Sequence, residues 1–216
     1  MDWDWLTSNR ALITDLLTQH VYLALVPVAL GLALALPIGF LTARFARLYP
    51  PMLAASAVLY SIPSIALFIV FPGILGTQIL DPINIVVALT IYAGALLVRS
   101  VADGLRSVSD QVRQSATAVG YERWRRVLKI ELPIALPFIF AGLRFVTVAN
   151  ISMVSVGALI GIGGLGQLFT DGFQRSFFTP IIVGMVLSVL LALCADIAIV
   201  TTQRFLTPWT RAGRTT

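Results

Sequence analysis

The chain has 216 residues, 58% of them hydrophobic and only 12% charged, and a mean hydropathy of +0.91; this balance excludes an ordinary water-soluble domain and indicates an integral membrane protein. Its formal charge of +5 reflects 15 basic against 10 acidic residues, an excess that in a membrane chain is cytosolic flanking charge and not a nucleic-acid surface. One cysteine, Cys194, embedded in an apolar run, rules out a disulfide framework and leaves a metal site without ligands at suitable spacing.

Residues 2–19 carry Asp2, Asp4 and Asp15 against Arg10. They form either an amphipathic helix on the outer surface, with Trp3 and Trp5 at headgroup level, or a disordered tail. The first 20 residues lack a basic start followed directly by an apolar stretch, so no cleavable signal is predicted and the first span anchors itself. His20, the only histidine, is expected at the outer surface or interface.

Five apolar runs are long enough to cross roughly 30 Å of hydrocarbon: 21–43, 52–71, 83–98, 133–160 and 180–200. The third is short and either stands nearly upright or borrows Leu80 and Pro82 at its start. Pro27, Pro37 and Pro63 fall inside spans, where each removes a backbone donor and predicts a kink.

Basic residues orient these spans. Arg44 and Arg47 follow the first, seven residues from Arg99 to Lys129 precede the fourth, and Arg204, Arg211 and Arg214 follow the fifth. The predicted fold is therefore all-α and membrane-integral, with five transmembrane helices, N-out and C-in. Residues 1–20 form an extracytoplasmic segment, 21–204 a permease domain with a cytosolic loop over about 100–132, and 205–216 a cytosolic tail.

Within that loop, residues 114–133 (QSATAVGYERWRRVLKIELP) make a polar, Arg-rich island. Ser109 or Asp110 caps a short helix, Val112, Ala116 and Val119 recur at helical spacing, and Gly120 ends it. A second short helix is expected over 122–129. Such an apolar stripe is buried either against a soluble partner or against the headgroups, with Arg123, Arg125, Arg126 and Lys129 facing anionic lipid.

The island resembles the signature loop of binding-protein-dependent ABC importer permeases: a Glu-Ala-Ala triplet, three residues, Gly, nine residues, then Ile-x-Leu-Pro. Here these positions are Gln114-Ser115-Ala116, Gly120 and Ile130-Glu131-Leu132-Pro133. Gln114 and Ser115 depart from the triplet. Small Ala116 is expected to allow close approach to a partner groove. The resemblance implies that Gln114, Ser115, Ala116, Gly120, Ile130, Leu132 and Pro133 couple to an ATPase subunit. It also implies pairing with a second permease chain, identical or related, and substrate delivery by an extracytoplasmic binding protein, in the cytoplasmic membrane. ATP and Mg would then be bound by the partner ATPase, and no cofactor by this chain, which lacks a Gly-x-x-x-x-Gly-Lys-Ser/Thr loop. Leu136-Pro137, Gly142-Leu143-Arg144 and the run 157–166 are similar to permeases of the osmoprotectant group, which carry glycine betaine, choline, carnitine or proline. Methionine or another amino acid is the alternative cargo. A secondary transporter would ordinarily show internal repeats and midplane ion sites. A non-transporting scaffold would leave the Gly and Ile-x-Leu-Pro spacing unexplained.

Gly161, Gly163, Gly164 and Gly166 fit a dinucleotide fingerprint by letter, but a span precedes them and no acid follows at the required distance. They are expected to form a tight turn at the outer mouth of the pore. Arg144 and Asp196 lie inside spans at depths about one helical turn apart. Either they pair, or Arg144 faces a wet translocation path. Tyr60, Ser61, Ser64, Asn150, Ser152 and Ser155 are either pore-lining groups or interhelical hydrogen-bonding partners.

Overall fold

The computed structural model describes residues 2–209, which are helical and contain no strand among them. Arg211 and Arg214 lie outside the described residues. A short α1 (Trp3–Ser8) is capped by Asp2, whose carboxylate accepts the Trp5 N–H. After Asn9, α2 (Arg10–Arg44) runs for 35 residues without interruption. At 1.5 Å per residue that is about 52 Å, well beyond the hydrocarbon thickness. The amino-terminal segment is thus helical and not a tail: residues 3–8 form α1, and residues 10–20 are continuous with the helix of the first apolar run. It is also fastened to protein, because the Asp2 N–H donates to Thr179 Oγ1 at 3.1 Å and Trp5 meets Phe177 edge-on. Pro27 and Pro37 are accommodated inside α2.

The expected second span is broken. α3 (Tyr49–Ser61) and α4 (Ser64–Leu75) meet at 96°. Pro63 disfavours helical geometry at the residue before it, and Ile62 is extended, with ψ at 129°. The freed Ile62 carbonyl accepts the Tyr92 hydroxyl, as backbone at membrane depth requires. α5 (Pro82–Arg106) begins at an Asp81 cap and continues eight residues past the predicted end of the third span. A surface helix α6 (Asp110–Ala118) and one turn, α7 (Arg123–Arg126), lead through a π-helical turn (Val127–Glu131) into α8 (Leu132–Val156). A 3-10 turn (Gly157–Ile160), α9 (Gly166–Gln174) and α10 (Phe178–Leu206) complete the chain. Among the described residues four helices are long and apolar enough to cross a membrane, or five crossings result if the bent pair counts as one.

α5 is the central helix. Two-thirds of its most apolar window (67%) is buried inside the chain, against 11% for α10. Its principal neighbours are α2 and α8, and both contacts use small residues. A Cβ placed on Gly31 of α2 would lie 2.7 Å from Ala93 Cβ and 2.9 Å from the Gly94 nitrogen, and one on Gly142 of α8 would lie 2.2 Å from Ser100 Oγ. Close approach of this kind is how helices associate in lipid, where apolar burial offers no drive. Gly31→Val should therefore force α2 and α5 apart and cost about 1–3 kcal/mol, read as a lowered unfolding temperature in detergent. Gly73→Ala, whose added Cβ meets open space, should leave stability within about 0.5 kcal/mol of unchanged, and that temperature with it.

Candidate coupling site and embedded polar groups

α6 is fixed at both ends by its own sequence. Ser109 Oγ accepts the Val112 N–H, and Asp110 lies in the first turn, where a negative charge complements the helix dipole. At the other end Gly120 adopts φ +91°. Its N–H donates to Thr117 O, and the Tyr121 N–H donates to Ala116 O, both at 3.0 Å. This double closure requires a left-handed residue. Nothing lies within 4 Å of where a Cβ on Gly120 would sit, so the demand is conformational, worth about 1–2 kcal/mol for any side chain.

Gln114 and Ser115 are exposed on α6, whereas Ala116 is its one buried residue. Ala116 turns toward its own chain. It joins Gln111, Val112, Ser115, Val119, Tyr121 and Ile130 around a shallow open groove. Val119 (79% exposed) and Trp124 (69%) stand beside it. The island thus presents apolar surface that this chain does not cover.

The link from α7 to α8 is set by Pro133. Proline has no N–H to give Lys129 O, and its ring crowds that carbonyl. The preceding turn widens, and the Leu132 N–H reaches back five residues to Val127 O. Ile130, Leu132 and Pro133 are partly buried around this turn, and Glu131 is 8% exposed. Arg126 Nε donates to Glu131 Oε1 at 2.8 Å, and Arg126 Nη1 to Thr117 Oγ1 of α6 at 2.9 Å. Arg113 of α6 places Nε 3.6 Å from Glu131 Oε2 while Nη2 donates to Leu105 O at 2.8 Å. Next to this cluster a cleft of about 300 Å³ gathers Arg44, Arg113, Arg123 and Arg126 with Phe40, Trp124 and Glu131. The carboxyl end of α2 and the island therefore share one end of the bundle. At the foot of α3, Tyr49 donates to Asp103 Oδ1, and the Arg106 guanidinium lies 4.1 Å from the Tyr49 ring centre.

Farther along α8, on the outside of the bundle, Arg144 Nε and Nη2 donate to the two Asp196 carboxylate oxygens at 2.6 and 2.8 Å. This two-pronged pair joins α8 to α10. Asn150 is buried, with Nδ2 at 3.5 Å from Ala24 O of α2; Ser152 is exposed and Ser155 partly buried. Tyr60 and Ser61 end α3 and Ser64 starts α4. Tyr60 meets Tyr92 edge-on, and Ser61 Oγ donates to Val58 O. At the opposite end from the arginines, Gly161, Gly163, Gly164 and Gly166 turn the chain from the 3-10 segment into α9. Gly164 has φ +45°, and a Cβ there would lie 2.7 Å from His20 Cβ. His20, expected at the surface, is fully buried under this turn. Its Nδ1 accepts the Leu165 N–H at 3.2 Å, so Nε2 carries the proton and donates to Ile151 O at 2.9 Å.

Several long apolar helices, with a capped surface helix at the foot of one of them, make this a multi-span helical membrane protein that leaves apolar surface uncovered on that helix. The chain belongs to the family of binding-protein-dependent transport system inner membrane components, whose pattern matches residues 35–211. It is 33% identical over 207 residues to the osmoprotectant import permease protein OsmW of Salmonella typhimurium, covering 94% of this chain and 96% of that one. It is 28% identical to the glycine betaine/carnitine/choline transport system permease protein OpuCB of Bacillus subtilis, covering 88% and 86%. Among solved structures, an inward-facing methionine ABC transporter, MetNI, superposes with a TM-score of 0.79 at 25% identity, covering 92% of this chain and 97% of that one. The chain is accordingly a permease component and not itself an enzyme.

If the Arg144–Asp196 pair holds α8 to α10, Arg144→Asp and Asp196→Arg should each lower the yield of assembled protein, and the double exchange should restore it. Equal loss in all three, measured by size-exclusion chromatography in detergent, would show that the two side chains act separately.

Proposed function

We propose that this chain is the membrane-spanning permease of an ATP-driven importer for an osmoprotectant such as glycine betaine, choline, carnitine or proline. The observation that carries this reading is end-to-end similarity to permeases so named, at 33% identity over nearly the whole of both chains. Methionine is the second reading, favoured by the likeness to MetNI. Two copies, or this chain and a related one, enclose the path. An extracytoplasmic binding protein delivers the substrate, and membrane lipid surrounds the outer helices. Two ATPase subunits bind ATP and Mg and engage α6.

In this reading Gln114 and Ser115 meet the ATPase directly. Gly120 fixes the helix end, and Ile130, Leu132 and Pro133 carry the connection into α8. Ala116 contributes by letting α6 lie close to its own chain. ATP binding closes the ATPase pair, moves α6 and opens the path outward; hydrolysis resets it. Tyr60, Ser61, Ser64, Ser152 and Ser155 are the candidate path groups. Asn150 and the Arg144–Asp196 pair are assigned to bracing between helices, and the glycine turn to the outer mouth. The chain is N-out and C-in, supported by the gathering of Arg44, Arg113, Arg123 and Arg126 at one end. Residues 100–132 and 205–216 are then cytosolic.

Two experiments test this. Reconstituted with its ATPase and binding protein, the permease should show ATP hydrolysis stimulated by glycine betaine, choline or proline; stimulation by methionine alone would move the cargo. In intact cells, with Cys194→Ser as background, a membrane-impermeant maleimide should label Ser8→Cys but reach Arg47→Cys only after lysis. The reverse pattern would invert the topology.

A further inference from the structure

We propose that Glu131 is the positioning residue of a two-armed charge clasp that makes α6 and the foot of α8 move as one body; the inference rests on the coupling role proposed above. Glu131 occupies the open position of Ile-x-Leu-Pro, where the signature itself specifies no side chain. It is nevertheless nearly buried and faces two guanidiniums. One arm is closed: Arg126 bonds Glu131 and, with its other nitrogen, Thr117 on α6.

The other arm is open. Arg113 Nε lies 3.6 Å from Glu131 Oε2, too far for a hydrogen bond, and is one of the two buried side-chain polar atoms without a partner among the described residues. A shift of well under 1 Å would close it and satisfy that donor. An unsatisfied buried donor favours such a shift. α6 is therefore tied to the foot of α8 through two arginines that converge on Glu131, one hydrogen-bonded and one ion-paired, so a small displacement of α6 is passed on. The π-helical turn brings residues 126 and 131 together. In an α-helix, five residues would place them about 140° apart.

The test uses the complete transporter in proteoliposomes, with uptake and ATP hydrolysis measured in the same vesicles. Glu131→Gln keeps the shape and removes the charge. It should lower substrate moved per ATP about tenfold, the scale of one lost charge-assisted bond. The exchange Arg126→Glu with Glu131→Arg should recover most of that ratio. Hydrogen exchange over 127–140 should respond to ATP in the wild type and lose that response in Glu131→Gln. An unchanged ratio in Glu131→Gln would overturn the clasp. So would a loss of ATPase co-purification that the exchange does not rescue, because Glu131 would then only fold the loop. A wild-type transporter unresponsive to every osmolyte would refute the cargo reading instead, while the ATP-dependent exchange still judges the clasp.

Discussion

Everything in this bundle depends on how closely α2 can lie against α5. Lipid is as apolar as leucine, so two helices gain little by hiding greasy side chains from it; they gain by touching. Gly31 against Ala93 and Gly94, and Gly39 against Val98 and Val101, bring the backbones together over about two turns. α8 then repeats the device on another side of α5, through Gly104 and Gly142. The long apolar side chains that dominate the composition mostly point outward, as the exposure of α10 illustrates.

Tight packing leaves irregular backbone needing partners that water cannot supply. Two buried side chains serve this need at opposite faces of the core. Tyr92 takes the carbonyl released where Pro63 breaks the helix pair. His20 binds the turn after α8 with one ring nitrogen and α8 itself with the other. Both are polar groups in apolar surroundings, and both are fully used.

Much of this was legible in the residues. Apolar run length located the long helices, and the distribution of arginine separated the two ends. Gly120, separated by three residues from the Gln114-Ser115-Ala116 triplet, marked the end of α6. What escaped has physical causes. A proline reveals that a helix is disturbed but not by how much: Pro27 and Pro37 sit within α2, whereas Pro63 turns the chain by 96°. The polar residues among 10–20 hid the continuity of α2, although Thr14 and Thr18 return their hydroxyls to carbonyls one turn back in the same helix. The lone His20 looked superficial because the turn that covers it lies more than 140 residues on. Arg126 and Glu131 were overlooked because five residues is not a helical pairing distance. Only Pro133, read for its effect on Lys129, could have signalled the wider turn.

That wider turn holds one residue more than an α-helix would need over the same rise. Chain length is therefore a mechanical quantity at this spot. Removing one residue from 127–131 would let the helix regularise with its rise almost unchanged, whereas adding one that the turn cannot absorb would rotate everything before it by about 100° and push it some 1.5 Å along the axis. The composition would scarcely change, yet the groove beside α6 would face a different direction. Between α7 and α8, the aim of the docking surface is encoded by a count of residues as much as by their kinds.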